Sequence, residues 1–411
     1  MGVTVRRMFS PVVVLIAANV IFGLGLFFHA FLYNFYIEQL HLSEAVMGHA
    51  AAALMGGGLV ALLPAGWLVD RVGPKLVVVN AALITTVGLA LSAVVTDRMT
   101  IYGAAAVAGV GSGMWRVAVG PILMRLTEPD TRPRVFAWNV GLLVASGGLG
   151  MAVAGAVPGL IETVLQLAPL QAMRGTLLLG AGATALSVFL FYSLQISTKK
   201  TSGHREAGRS IAGSEAAISF RRQVREILPL VGFVAVWMVG PALVMPFFNI
   251  YFAREHGMPL EGIGLVFAVG QWLAALAVLV SGELATRFGL RRILATTLVF
   301  FAPAVCGLAL TTAIQLAVGL YFVQGLVSPV TNPLIDQLLF RLTPTERHGL
   351  VSSWRNAAAD VSAMVGASTG GVLLAGGTFA LLFVTAGIVG LVGALVLVVG
   401  LRRLEYNVFD E

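Results

Sequence analysis

The sequence predicts an all-α integral membrane protein of twelve transmembrane helices, built as two six-helix bundles related by a parallel pseudo-twofold axis. Three observations lead there: a composition that water cannot solvate, twelve apolar runs of spanning length, and an internal repeat. The 411 residues are 58% hydrophobic and only 11% charged, with a mean hydropathy of +0.92. A soluble globular chain carries about 25% charged residues, so the bilayer itself is the partner that covers most of this surface. The one cysteine, Cys306, lies in an apolar run and excludes a disulfide framework or a cysteine metal centre. No metal-ligand spacing and no Ser/His/Asp arrangement is present, so neither a metal, a cofactor nor an enzyme is expected.

A helix needs roughly 20 apolar residues to cross a bilayer. Such runs fall near 10–37, 43–69, 75–95, 100–126, 134–158 and 170–196, then near 226–252, 259–284, 291–311, 314–340, 349–374 and 377–401. Continuous runs of this length are helices, because barrel strands alternate and are half as long. The first run is too long for a signal peptide and is read as a retained first span. The polar stretch 197–225 separates an N-terminal bundle (1–196) from a C-terminal bundle (226–411). The formal charge of +7 points to topology, not nucleic acid. All 26 Lys and Arg lie on the side of the termini and the central linker, except Arg98, Arg174 and Arg254 opposite and Arg116 and Arg355 within spans. The positive-inside rule puts that side in the cytoplasm. Compact loops fit a bacterial inner membrane, and a monomer is the expectation.

The second half overlays the first. At an offset of 216, Gly66 meets Gly282, Arg71 meets Arg287, Gly73 meets Gly289 and Trp138 meets Trp354, while Arg125-Leu126-Thr127 meets Arg341-Leu342-Thr343. At 215, Asn34-Phe35-Tyr36 meets Asn249-Ile250-Tyr251. Two similar parallel bundles leave a cavity between them, and rocking one against the other exposes that cavity to each side in turn. Between spans two and three the chain reads Gly66-Trp67-Leu68-Val69-Asp70-Arg71-Val72-Gly73-Pro74-Lys75, with a degenerate copy at 282–291 where Thr286 replaces the acid. This loop, the spans and the repeat resemble the major facilitator superfamily over essentially the whole chain. The resemblance implies alternating access, a cavity lined by spans one, four, seven and ten, and a latch involving Gly66, Asp70, Arg71, Gly73 and Lys75. The Arg that proton antiporters of the family often carry in span four is absent: Ala105 stands there, which weakens a drug–proton antiport reading. The glycines of 109–113 are helix-packing residues, not a nucleotide loop.

Ionisable groups at membrane depth are costly, so each is a functional candidate. Arg116 lies about ten residues from the end of span four, where its fork can hold a carboxylate or phosphate bidentately. Asp360 in span eleven lies at similar depth, as a carboxylate that titrates during transport or as the partner of Arg116. Asp336 and Arg355 match in depth on antiparallel neighbours, which predicts a salt bridge. His29, Tyr33 and Tyr36 share one face of span one, and histidine titrates near physiological pH, so His29 is either a coupling group or a core residue. Asn34 and Asn249 near the outer ends of spans one and seven either bind solute or close the outer mouth across the two halves. Tyr251 belongs to an aromatic group that lines a pocket or packs the core. Pro241, Pro246, Pro329 and Pro333 are expected to kink or interrupt spans seven and ten. The combined expectation is a secondary transporter for a small organic solute, with a lean toward an anionic one and toward proton coupling. The alternatives are an exporter of amphipathic or lipid-like compounds and a membrane receptor that binds without transporting.

Overall fold

The computed structural model describes residues 10–195, 214–341, 343 and 348–409, with 214–227, 230, 291, 349 and 401–409 as backbone only. Residues 197–213 of the linker expected at 197–225, with Lys199, Lys200, Arg205 and Arg209, therefore lie outside the described residues, while 214–225 form the start of a helix. Among the described residues there is no strand, and twelve helices are long and apolar enough to cross a membrane. In lipid every backbone N–H and C=O must be satisfied within its own segment, which is why these runs are helical throughout.

Spans one to six are Pro11–Gln39, Glu44–Val72, Pro74–Val94, Arg98–Leu126, Arg132–Leu165 and Pro169–Ser193. Their starts follow the sequence: a proline occupies the first turn of spans one, three, five and six, where its missing N–H costs nothing. Asp97 caps span four. The Thr100 hydroxyl and then its backbone N–H donate to this carboxylate and hold it below the usual carboxylate range. Span five runs past the expected end near 158, because Pro158 sits inside the helix and the chain leaves only at Gln166, in the left-handed region at φ 52°. Span seven is a helix from Ser214 to Val244, a 3-10 turn at Met245–Phe247 and a short helix Phe248–His256. The break falls at Pro246, while Pro241 stays inside the α-helix. Spans eight to twelve are Leu260–Phe288, Leu290–Leu310, Ile314–Arg341, His348–Ala375 and Phe379–Phe409. Pro329 and Pro333 do not interrupt span ten, since neighbouring helices can satisfy the backbone groups a proline frees. The turns after spans two and eight pivot on Gly73 and Gly289 at φ 91° and 89°, a conformation that only glycine adopts cheaply.

The packing repeats with the sequence. Span one packs on five and six, four on two and three, and three on six; span seven packs on eleven and twelve, ten on eight and nine, and nine on twelve. The halves meet along two seams, span two on eleven and span five on eight. Those seams are images of each other. Gly48 abuts the Ala367 carbonyl and Gly371, and Gly264, its mate 216 residues on, abuts the Met151 carbonyl and Gly155. Farther along, Gly56 meets Met364 on one seam as Gly148 meets Trp272 on the other. With an even number of spans both chain ends fall on one side of the membrane, called here the terminal face.

Candidate functional site

The face opposite the termini is closed by polar contacts that obey the pseudo-twofold. Asn34 Nδ2 donates to the Pro246 carbonyl (2.5 Å) and to Asn249 Oδ1 (3.2 Å), while Asn249 Nδ2 donates to the Phe31 carbonyl (2.8 Å). Each amide thus reaches the backbone oxygen three residues before the other. A turn farther out, Arg254 Nε donates to Glu38 Oε1 (2.7 Å) and Arg254 Nη1 pairs with Glu44. Glu38 and Arg254 are themselves repeat mates, separated by 216 residues. Sequence reasoning missed this clamp, although opposite charges at one repeat position were a usable signal.

At mid-membrane the halves are joined by Arg116 and Asp360. The fork is bidentate, Nη1 to Oδ1 at 3.1 Å and Nη2 to Oδ2 at 2.9 Å. The Asp360 side chain is 9% exposed, whereas that of Arg116 is 41% exposed at about ten residues from the end of its helix. An arginine that deep and that accessible borders an opening. The opening that exposes Arg116 therefore reaches this depth, beside the ion pair.

Behind Arg116 lies a second polar group inside the first bundle. Trp115 Nε1 donates to Asn19 Oδ1 (2.9 Å), and Asn19 Nδ2 donates to Asn139 Oδ1 (2.7 Å). Asn19 is fully buried, and the Trp115 ring packs on Phe22 at 4.8 Å. The network ties spans one, four and five together beside the ion pair. The other predicted residues sit away from the opening. His29 stacks on Tyr33 (4.2 Å) within the first bundle, with its Nε2 buried and unpartnered among the described residues. Tyr36 donates to the Val95 carbonyl (2.8 Å), and its mate Tyr251 donates to the Leu308 carbonyl (3.0 Å), so both hydroxyls are engaged within their own halves. Asp336 and Arg355 lie 3.1 Å apart as an ion pair not aligned as a hydrogen bond, and Arg355 Nη1 donates to Asn356 (3.1 Å). Among the described residues no cluster of His, Cys, Asp and Glu could hold a metal.

The sequence matches the family model of the Major Facilitator Superfamily over residues 15–245 and again over 230–407. The chain belongs to this superfamily. It is an integral membrane transporter for small solutes, not an enzyme. Solved superfamily folds superpose over nearly all of it. A bacterial homologue of the human lysosomal transporter Spinster, inward-facing and unoccupied, is 12% identical with a TM-score of 0.79, covering 97% of this chain and 98% of that one. The nucleoside transporter NupG is 13% identical (TM-score 0.73, 95% and 98% covered), and the xylose transporter XylE from E. coli is 15% identical (0.72, 94% and 95%). No curated protein matches the chain in sequence. These identities establish the fold alone. Asp70 is exposed with no hydrogen-bond or ion-pair partner among the described residues, Arg71 lies over the Trp67 ring at 4.9 Å, and Lys75 over Tyr192 at 5.5 Å.

Proposed function

We propose that this protein is a secondary transporter of a small organic anion, driven by protons through the Arg116–Asp360 pair. Residues 1–196 and 226–411 act as the two rocking bodies, joined by 197–225. The terminal face lies in the cytoplasm, on the positive-inside distribution of Lys and Arg, and the membrane is a bacterial inner membrane. The conformation described is then inward-open, with the outer mouth sealed by Asn34, Asn249 and the Arg254 clamp, and the Asp70–Arg71 loop free.

The observation that carries the reading is a bidentate ion pair bridging the halves beside the opening that exposes Arg116. Arginine does not release its proton. When Asp360 takes up a proton, or swings away with span eleven, the guanidinium is left as an uncompensated charge at membrane depth. A carboxylate or phosphate on the solute fits the same fork and restores neutrality. Proton on Asp360 and anion on Arg116 are thus favoured together, which couples one to the other. The bond between the halves is exchanged for a bond to solute, freeing the halves to rock. His29 takes no part, being enclosed in the first bundle.

The test is uptake into proteoliposomes holding the purified protein. An imposed pH gradient should drive accumulation of an organic anion by wild type. Asp360→Asn should still exchange that anion across the membrane but no longer accumulate it against a gradient, and Arg116→Ala should do neither. Proton-driven accumulation that survives in Asp360→Asn would remove the pair from coupling.

A further inference from the structure

The pseudo-twofold that organises the gates fails where the charge lies. Arg116 in span four has as its mate, 216 residues on, Asn332 in span ten, and Ser112 has Ser328. The mate of Asp360 is Val144. One bundle therefore offers a cation, and the other an amide and a hydroxyl, at equivalent depths on opposite sides of the axis. Their helical positions also agree. Val107 in span four and Leu316 and Val323 in span ten are exposed, and on helices in a bilayer such residues face lipid. Arg116 stands nine residues from Val107 and Asn332 nine from Val323, in each case half a turn round at 100° per residue. Both point away from lipid toward the space between the bundles. Ser328 precedes Asn332 by one turn on the same face.

Asn332 also carries an unmet demand. Its Oδ1 is buried without a hydrogen-bond partner among the described residues, although the residue as a whole is partly exposed. Leaving such an acceptor bare costs about 1–3 kcal/mol, and native interiors rarely tolerate it without a reason. No acid or amide stands at Val144 to meet it from the other bundle.

We propose that Asn332, with Ser328 beside it, is a neutral polar subsite facing Arg116, and that the solute is a hydroxylated organic anion. Its acidic group takes the guanidinium, and a hydroxyl some way along its chain donates to the Asn332 amide oxygen. A plain aliphatic acid satisfies only the first contact and leaves the second acceptor bare. This rests on the anion-binding role of Arg116 and adds what lies opposite it. Recognition of a hydroxyl by a buried polar group discriminates strongly against the analogue that lacks it.

The experiment measures binding to the full-length purified protein by isothermal titration, with D-gluconate and hexanoate as probes. Both are six-carbon carboxylates, and they differ in hydroxylation. Wild type should prefer gluconate at least tenfold. Asn332→Leu, which keeps the side-chain branching but replaces both polar atoms by methyl groups, should reduce that preference about tenfold, with cooperative thermal unfolding of the unliganded variant as the check that it folds. Arg116→Ala should lose both anions. An unchanged preference in Asn332→Leu, with both anions lost in Arg116→Ala, overturns the subsite alone. Equal affinity of wild type for the two probes, or for neither, overturns the hydroxylated ligand. If Arg116→Ala keeps both affinities, the anion site fails and the subsite with it.

Discussion

The two seams between the halves rest on glycines, and one added methyl group should change which face is open. At Gly48 a Cβ would overlap the Ala367 carbonyl oxygen and stand 2.9 Å from Gly371 Cα, where an ordinary contact needs at least 3.4 Å. The obstacles are backbone atoms of span eleven, so no rotamer relieves them and the helices must part. Overpacking of this kind costs about 1–3 kcal/mol. The gain in helix propensity from Gly to Ala is present in both conformations and cancels. The state closed on the face opposite the termini should therefore lose roughly 5- to 150-fold in population relative to the opposite one. Gly264→Ala, with 2.7 Å to the Met151 oxygen and 3.2 Å to Gly155 Cα, should shift it the same way but less. Spin labels at Thr96→Cys and Thr312→Cys, repeat mates on loops of that face, report the separation by pulsed electron–electron resonance in a Cys306→Ser background. A longer distance in Gly48→Ala than in the parent is expected, with Gly264→Ala between them. An unchanged distance in a folded Gly48→Ala protein would refute the seam as the element that sets the equilibrium.

Two further predictions use the same labels or a stability readout. Arg254→Ala should also populate the longer distance. The effect should be modest, because the Arg254, Glu38 and Glu44 side chains are 37%, 32% and 17% exposed, and solvent-screened pairs contribute about 1 kcal/mol or less; it should shrink further in high salt, and a salt-independent shift would argue against an electrostatic clamp. Asn19→Leu strands both Trp115 Nε1 and Asn139 Oδ1 in a buried network, at a cost of about 1–3 kcal/mol, so thermal unfolding should fall by several degrees, whereas an unchanged midpoint would mean that water already enters the network.

Much of the architecture was legible because lipid imposes it. Twelve runs had to be helices, and most of their ends fell within a few residues of the count, while span five outruns it past Pro158, span seven starts at Ser214 rather than near 226 and span twelve continues to Phe409 rather than 401. Pro158 and Pro333 remain inside helices because packed neighbours rescue the backbone groups they free, information that a single segment does not hold. Counting residues from helix ends matched the depths of Arg116 with Asp360 and of Asp336 with Arg355, since helical rise converts sequence position directly into depth. Azimuth is harder to read. His29 and Tyr251 lie on the spans expected to line the cavity yet are engaged within their own bundles, His29 stacked on Tyr33 and Tyr251 bonded to the Leu308 carbonyl and packed on Phe379 and Phe383, and only the packing shows that. The clamp at Arg254 escaped for a different reason. A repeat is found by looking for identities, and a contact across a twofold axis often pairs unlike charges.

That distinction bears on where function resides in such a chain. Interactions that hold a conformation are repeated: Gly48 with Gly264, Asn34 with Asn249, Tyr36 with Tyr251. Repetition is the economical solution there, because each half must lean on the other over the same geometry and a twofold gives two contacts for one sequence pattern. Chemistry requires the reverse. A solute with an acidic end and a hydroxylated end has no twofold of its own, and a site that binds it in one orientation must break the symmetry of its scaffold. Arg116 with Asn332, and Asp360 with Val144, are such breaks at equivalent depths around the axis. Restoring symmetry is thus the perturbation that separates scaffold from site. Asn332→Arg sets two guanidinium groups across the cavity with one carboxylate between them, and the far-side seal, which shares none of these atoms, should still form while anion selectivity is lost.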